Sequence, residues 1–510
     1  MMSMILAADI SGYIDEIIRS LPLLTTEYTL VLSIVAIIMM DLLFGKQNPQ
    51  LLYMAATTGL LVALIASIND WNTVEGPQNI FENMIRVNRL SLFLSILLII
   101  ATLLTILITS FEKPFKEEKK GEGEYFSLLT LITLGSILMV KANHFLMFFL
   151  AIETVSMGSY LIAGFRFDKK GSEGAMKYVL FGAFASAIML YGISLLYGYT
   201  NSFGFIDLTE IAAQGRQIDF GLGFALIMII SGLFFKISIF PFHVWVPDVY
   251  KAAPTSITAF FSIVPKIAGL MMMFNIVNRM GINDLEISSI SLHLDEMLGI
   301  AAIFTLIVSN FSAIWQKSGK RMMAYSSISH AGFMMIAILS LTEMGLYALL
   351  FYIFVYILMN YGVFFILIKL ENATGSDEIK DFKGMGKAAP VASTALVILM
   401  ISLTGLPPTA GFTAKFILFT TVWENFELSG QYIYLFLLLI GLGISVVALF
   451  YYLRIPYFMY FKESEDKREP VTFNLFELIF LLFLTTPIFL LFFQPDWLFD
   501  VINSINFASN

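Results

Sequence analysis

Four ionisable side chains, Glu153, Lys236, Lys266 and Lys415, stand inside stretches otherwise apolar enough to cross a lipid bilayer. A charge near the bilayer centre costs at least ~2.5–3.5 kcal/mol even on the most lenient insertion scale, so an acid and three amines there need a reason to persist. The chemistry these residue types share is proton exchange, and an ion path is the default reading. Glu153 lies mid-helix in "FLMFFLAIETVSMGSYLIAGF", Lys236 precedes a proline-rich interruption, Lys266 sits in "FFSIVPKIAGL", and Lys415 follows "LTGLPPTAGFTA". A carboxylate and an amine with an adjustable gap, beside a second buried amine, can store and pass a proton. His243 and His330 add imidazoles, which change protonation near neutral pH and suit a relay between such sites. The plainer alternative gives each charge a structural duty, a lysine snorkelling to an interface or a glutamate tying two helices. His144, near a helix end, reads as structural, and His293 as a solvated loop residue. No two histidines form a facing pair in adjacent spans, which argues against a bound haem.

The elements that must position these groups are transmembrane helices. Hydrophobic residues fill 58% of the 510 positions and charged residues 13%, against about 25% charged in soluble domains, and the mean hydropathy is +0.82. Runs long enough to span ~30 Å of hydrocarbon number fourteen, from 26–44 to 472–495, which predicts an all-α polytopic membrane protein embedded in a lipid bilayer. Basic residues test that count. Alternate loops hold twenty of the thirty Lys and Arg, and the opposite set holds six, namely Arg19, Arg86, Arg89, Lys141, Arg216 and Arg279. By the positive-inside bias the rich set is cytoplasmic and both termini face out. Residues 1–20 lack a basic start and an apolar core, so they read as a short external amphipathic segment, not a cleavable signal. Cys is absent, which excludes a disulfide framework, a thiolate zinc site and a cysteine-held iron–sulfur cluster on this chain. No cofactor or metal site is expected here, and the net charge of −8, spread over short loops without a polybasic tract, gives no sign of nucleic acid.

Two spans carry helix breakers. Pro241 and Pro247 follow Lys236 in the seventh span, 219–240, while Gly405, Pro407, Pro408 and Gly411 precede Lys415 in the twelfth, 391–419. Irregular backbone at membrane depth persists where protein buries it or it lines a wet cavity, and paired broken helices suggest a duplicated unit. The expected organisation is therefore helices 1–3 over 1–125, one five-helix repeat over 126–278, a second over 279–460, and a last helix within 461–510. Five crossings being odd, the two repeats would be inverted. Lys415 is then the counterpart of Lys236.

"GLFFKISIFPFHVWVPDVYKAAPTSITAFFSIVPKIAGL", "RMMAYSSISHAGFMM" and "LTGLPPTAGFTAKF" resemble the antiporter-like proton-pumping subunits of respiratory complex I, the NADH:quinone oxidoreductase, over about 126–460. The chain is most similar to the N-type members. It carries Lys415 where the M-type has a glutamate, shows no long lateral helix of the L-type, and has the N-type wording around His243. The resemblance implies a subunit of a proton-translocating enzyme in which Glu153 and Lys236 form the input pair, Lys266 is the central connecting lysine, and Lys415 serves the output half-channel. His243 and His330 would belong to the hydrated axis between them, and Lys177 would aid proton entry or simply be a surface lysine. It further implies that NADH, FMN, iron–sulfur clusters and quinone bind other subunits. M-type and K-type neighbours, and a bacterial inner membrane with both termini periplasmic, follow from the same resemblance. The nearest rival is a subunit of a multi-subunit cation/proton antiporter. A third reading makes the chain a membrane scaffold whose charges only hold helices together.

Overall fold

The structure, a computed structural model, describes residues 17–44, 48–113, 121–205, 220–280, 286–287, 292–340, 342–464 and 468–505. The external segment expected over 1–20 falls largely outside these residues, as do Lys46, Lys116, Lys119, Lys120, Arg216 and Lys467. Residues 17–20 are helical and run into the first long helix.

Among the described residues, thirteen helices are long and apolar enough to cross a membrane, and a shorter apolar helix joins them. In chain order they begin with α1 (Thr25–Phe44), α2 (Pro49–Thr73), α3 (Arg89–Thr109), α4 (Glu122–Lys141), α5 (Phe145–Ala163), α6 (Lys169–Thr200) and α7 (Phe220–Ile237). The short α8 (Val246–Ala252) leads into α9 (Thr255–Arg279), α10 (Leu294–Ile314), α11 (Gly319–Leu339) and α12 (Glu343–Thr374). A one-turn α13 (Met385–Ala388) precedes α14 (Pro390–Thr404) and α15 (Ala410–Ser429); α16 (Tyr432–Tyr452), α17 (Arg454–Phe461), α18 (Leu475–Phe493) and α19 (Asp496–Asn503) complete the chain. Taking α14 and α15 as one interrupted crossing gives the fourteen expected. Two small antiparallel hairpins, β1 (Gln78–Ile80) with β2 (Ile85–Val87) and β3 (Glu286–Ile287) with β4 (Leu292–His293), complete the elements. His293 lies in β4, and its side chain is outside the described residues.

Helix ends follow local chemistry. Asn88 and Ser91 make a reciprocal capping box on α3, Asn474 and Glu477 do the same on α18, and Asp168, Ser318 and Thr342 cap α6, α11 and α12. His144 caps α5 by accepting the Leu146 N–H at 3.2 Å; burial lowers its proton affinity, which keeps the ring neutral and Nδ1 free to accept. The structural duty expected of His144 is thus met.

The two breaks fall beside Lys236 and Lys415, with different endings. α7 stops at Ile237, and Ser238 takes φ +66°, a conformation that costs a non-glycine residue about 1–2 kcal/mol. Pro241 lies in the opened stretch, whereas Pro247, expected to open the chain, sits in the first turn of α8, where a missing N–H costs nothing. α14 ends at Gly405, whose φ of +88° closes the helix, and α15 resumes at Ala410.

Packing follows one pattern twice. α4 lies against α5 and α9, α5 against α6, and α6 against α7, which returns to α9. Likewise α10 lies against α11 and α16, α11 against α12, and α12 against the α14–α15 pair, which returns to α16. The third member of each set, α6 and α12, has 32 residues. α9, α11 and α12 form the centre and are buried along nearly all their apolar length, while α1 and α2 expose most of theirs. Apolar side chains that face outward on a chain this hydrophobic belong against lipid.

The described loops of the basic-rich set meet at one face, where Glu112 and Lys113, Arg166 to Glu173, Asp248 to Pro254, Lys320 and Glu371 to Glu378 line one cavity. The alternate loops meet at the other face: Asn143 N–H donates to Met84 O at 2.9 Å, Phe145 N–H to Phe203 O at 2.7 Å, and Arg279 bonds Asn143.

Candidate functional site

Within the bundle, polar groups from many helices gather around the ionisable side chains among apolar neighbours. Glu153, near the middle of α5, accepts a short hydrogen bond from Ser186 of α6. One turn along α5, Ser156 takes a 3.2 Å hydrogen bond from Nζ of Lys236, which is 2% exposed in the last turn of α7. Glu153 and Ser156, three residues apart, share a face of the helix. The carboxylate and the ammonium are electrostatically coupled but make no ion pair within 4.0 Å. This geometry leaves the gap adjustable, as an acid–base pair that opens and closes requires.

Lys266 stands ~16 Å along α9 from Thr255, counted at 1.5 Å per residue, and is 2% exposed. Pro265, immediately before it, withholds the N–H that would close on Phe261 O and so loosens the turn. Nζ of Lys266 donates to Ser327 of α11 at 2.8 Å and lies 5.5 Å from the ring centre of Tyr250 on α8. Across α11, His330 holds Tyr352 at 2.8 Å through Nδ1 and Tyr452 at 3.0 Å through Nε2, with the Tyr356 ring 4.8 Å away. Tyr452 also bonds Ser326, and Tyr451 donates to Asn310 at 3.2 Å. His330 is coupled electrostatically to both Lys266 and Lys415.

Lys415 stands at the second break. Nζ donates to Thr404 O at 2.8 Å, the last carbonyl of α14, and to Ser445 of α16 at 3.4 Å, and lies 4.5 Å from the centre of the Phe333 ring. The break exists to make this fit. A Cβ on Gly405 would stand 2.7 Å from Cδ of Lys415, and one on Gly411 would stand 1.8 Å from Ser402 O, so both positions need glycine. At the first break, His243 is 8% exposed, coupled to Lys266, and its Nδ1 is buried without a hydrogen-bond partner, as is the hydroxyl of Ser238. Buried polar atoms without partners are costly and concentrate where protons or ligands move.

Of the sequence-predicted site residues, Glu153 and Lys236 are coupled to each other, Lys266 to His243 and His330, and His330 to Lys415, while the Lys236 stem lies beside Gly269 of α9, one turn from Lys266, with no hydrogen bond between the two lysines. The hydroxyl and aromatic groups around them, Ser156, Ser186, Ser327, Tyr352, Tyr452 and Phe333, carried no sequence signal beyond their presence in apolar runs. Of three lysines counted with the loops, two are buried in the bundle and one is partly buried. Lys141, 1% exposed, pairs with Glu27 at 2.6 Å; Lys320, 2% exposed, donates to Ala253 O at 2.6 Å; and Lys369 pairs with Glu477. A signal existed for Lys320, since Ser318 is a helix cap and places the lysine in the first turn of α11. Lys177 is bridged to Asp248 at 3.1 Å and Glu173 at 2.9 Å, a half-exposed ion network.

The model of the family described as NADH:quinone oxidoreductase/Mrp antiporter, TM, matches residues 142–445. The NADH-quinone oxidoreductase subunit N of Chlorobium chlorochromatii (strain CaD3) is 34% identical over 497 residues, covering 96% of this chain and 95% of that protein. A chain of respiratory complex I from Thermus thermophilus superimposes with a TM-score of 0.76 at 25% identity, covering 94% of this chain and 100% of that one. A chain of the Mrp complex from Dietzia sp. DQ12-45-1b superimposes at 0.78 with 16% identity, over 95% and 97%, a likeness of fold alone.

Proposed function

From the membership of this chain in the NADH:quinone oxidoreductase/Mrp antiporter family, and within it in the subunit N group, we propose that Glu153, Lys236, Lys266 and Lys415 carry protons along the membrane mid-plane. The protein is a membrane subunit of a proton-translocating NADH:quinone oxidoreductase. The observation that supports the residue roles is the set of buried amines at both helix breaks, with Lys266, Ser327, His330 and Phe333 leading from the first half toward Lys415. Opening and closing the Glu153–Lys236 gap alters the cost of the Lys236 charge, and Lys266 receives or repels a proton in response. His330, held from both ring nitrogens, relays toward Lys415, whose partners Thr404 O and Ser445 accept hydrogen bonds from the charged form. His243 offers its free Nδ1 beside Lys266.

NADH, FMN, iron–sulfur clusters and quinone belong in this reading to other subunits, with M-type and K-type proteins as membrane neighbours. The basic-rich loops assign the cavity face to the cytoplasm of a bacterial cell whose inner membrane holds the protein, both termini periplasmic. The duplicated neighbour relations support two five-helix repeats over 126–278 and 279–460, inverted because five crossings are odd, flanked by 1–125 and 461–510. The antiporter alternative predicts sodium-dependent transport without NADH oxidation.

The purified native assembly tests the reading. It is expected to contain flavin and iron–sulfur subunits, and Lys236→Ala is expected to abolish most pumping and quinone-linked NADH oxidation while sparing NADH oxidation by an artificial acceptor. Equal loss of both activities would mark Lys236 as structural, and an assembly without redox subunits would favour the antiporter.

A further inference from the structure

The cavity at the basic-rich face encloses about 850 Å³, and two acids stand at its edge where α9 begins. Glu112, 3% exposed, accepts the N–H groups of Thr255 at 2.8 Å and Ser256 at 3.1 Å and the Ser256 hydroxyl at 2.7 Å. Glu371 accepts the hydroxyl of Thr255 at 2.7 Å, and its other carboxylate oxygen is buried without a partner. Arg166 lies 3.9 Å from Glu112, and Lys320 is coupled to both acids.

Capping α9 accounts for the backbone bonds. It does not account for what continues inward. The Ser256 hydroxyl is 3.1 Å from the Tyr125 hydroxyl of α4, and that group is 2.9 Å from Thr109 of α3, three fully buried oxygens in sequence from the acid. One turn deeper on the same face of α3, Thr105 bonds Tyr361 of α12 at 2.7 Å. The neighbour of Tyr361, Asn360, bonds Ser262 of α9, which stands one turn before Lys266.

We propose that Glu112, Ser256, Tyr125 and Thr109 form a proton-entry branch from the cavity to Lys266, distinct from the Glu153–Lys236 pair. The proposal rests on the reading of Lys266 as a proton carrier. With Glu112 ionised, the hydroxyls point toward it: Ser256 donates to the carboxylate and Tyr125 to Ser256. A proton taken from the cavity onto Glu112 frees the hydroxyls to turn, so that Ser256 donates to Tyr125 and Tyr125 to Thr109; the Glu112 proton then passes to the Ser256 oxygen as Ser256 releases its own to Tyr125 and Tyr125 its own to Thr109. Each O–H bond broken is matched by one formed, so one proton leaves Thr109 inward and Glu112 is again ionised. The hydroxyls must then turn before the next transfer. The remaining steps are Thr109 to Thr105 and Ser262 to Lys266, each about one helical turn, ~5.4 Å, a distance one water molecule bridges, and between them Tyr361 to Ser262, where the Asn360 amide only donates to Ser262 and water has to carry the proton past it.

The test uses the intact complex in proteoliposomes, with NADH-driven proton uptake, quinone-linked turnover and artificial-acceptor oxidation measured together. Tyr125→Phe keeps the ring, which packs edge-on against Phe126 and Phe165, and removes the one hydroxyl the branch cannot lose. It is expected to lower proton uptake several-fold at unchanged assembly, denaturation midpoint and artificial-acceptor rate, and to change the solvent deuterium isotope effect on turnover. Glu112→Gln is expected to act alike, and should it fail to assemble, Tyr125→Phe still decides. Lys266→Met is the control that separates the two ideas. If Lys266→Met is impaired while Tyr125→Phe pumps at the wild-type rate and isotope effect, the entry branch is overturned. If Lys266→Met itself pumps normally, the carrier reading beneath it falls.

Discussion

At the scale of single residues, what distinguishes Lys415 from a helix-packing lysine is that its partners can hold either protonation state. Thr404 O and Ser445 Oγ accept from an ammonium, and the face of Phe333 favours the cation. A proton carrier there must also release its proton. Arginine keeps the charge and is always ionised, with a pKa above ~12, so Lys415→Arg is expected to assemble and yet pump little better than Lys415→Ala. Wild-type pumping by the arginine variant, measured in proteoliposomes, would reduce Lys415 to an electrostatic fixture. Glu153→Asp, which keeps the acid at shorter reach to Ser186, is expected to be milder than Glu153→Ala in the same measurement.

At the scale of elements, the second break is held by two glycines with separate duties. Gly411 lets the start of α15 approach the end of α14 until a methyl would overlap the Ser402 carbonyl, and Gly405 supplies the left-handed turn under the Lys415 stem. Gly411→Ala forces backbone apart and is expected to cost at least ~1–3 kcal/mol, read as a lowered denaturation midpoint of the complex. Gly405→Ala combines about 1–2 kcal/mol of backbone strain with displacement of the lysine, so its pumping defect is expected to exceed its stability defect. If Gly405→Ala pumps normally, the position of the Lys415 stem is not what the turn is for.

At the scale of the whole molecule, the first two helices join the first packing set through a buried charge cluster. Lys141 at the end of α4 pairs with Glu27 of α1, and Asp70 of α2 accepts the Thr25 hydroxyl at 2.7 and 2.8 Å. Helices as exposed as α1 and α2 have little else polar to fix their register. Removing one partner strands the other charge in the bundle, so Lys141→Met is expected to cost ~3–5 kcal/mol and to loosen α1 and α2. Glu27→Gln combined with Lys141→Met leaves no stranded charge on that pair and is expected to recover much of the loss. Protease accessibility of the α1–α2 loop in the purified complex reports the docking; equal protection in the single variant and wild type would show that lipid, not the pair, holds these helices.

The chain's residues determined by themselves what is local. Apolar run lengths set the crossings, Gly405 and the prolines marked the breaks, alternate loops sorted onto two faces, and Glu153, Lys236, Lys266, Lys415 and His330 stood out because ionisable groups are costly among apolar neighbours. Tertiary structure decided the partners. Thr105 meets Tyr361 across 256 positions, His330 meets Tyr452 across 122, and Glu112 meets Ser256 across 144. It also decided that Lys141 and Lys320, which look like loop charges, are buried, that Lys369 is partly so, and that Pro247 starts a helix it was expected to break. A helix's own sequence fixes its length, its ends and which residues share a face, but which face meets which neighbour depends on how the whole bundle packs. A serine in an apolar helix is therefore silent until another helix brings it a donor or acceptor.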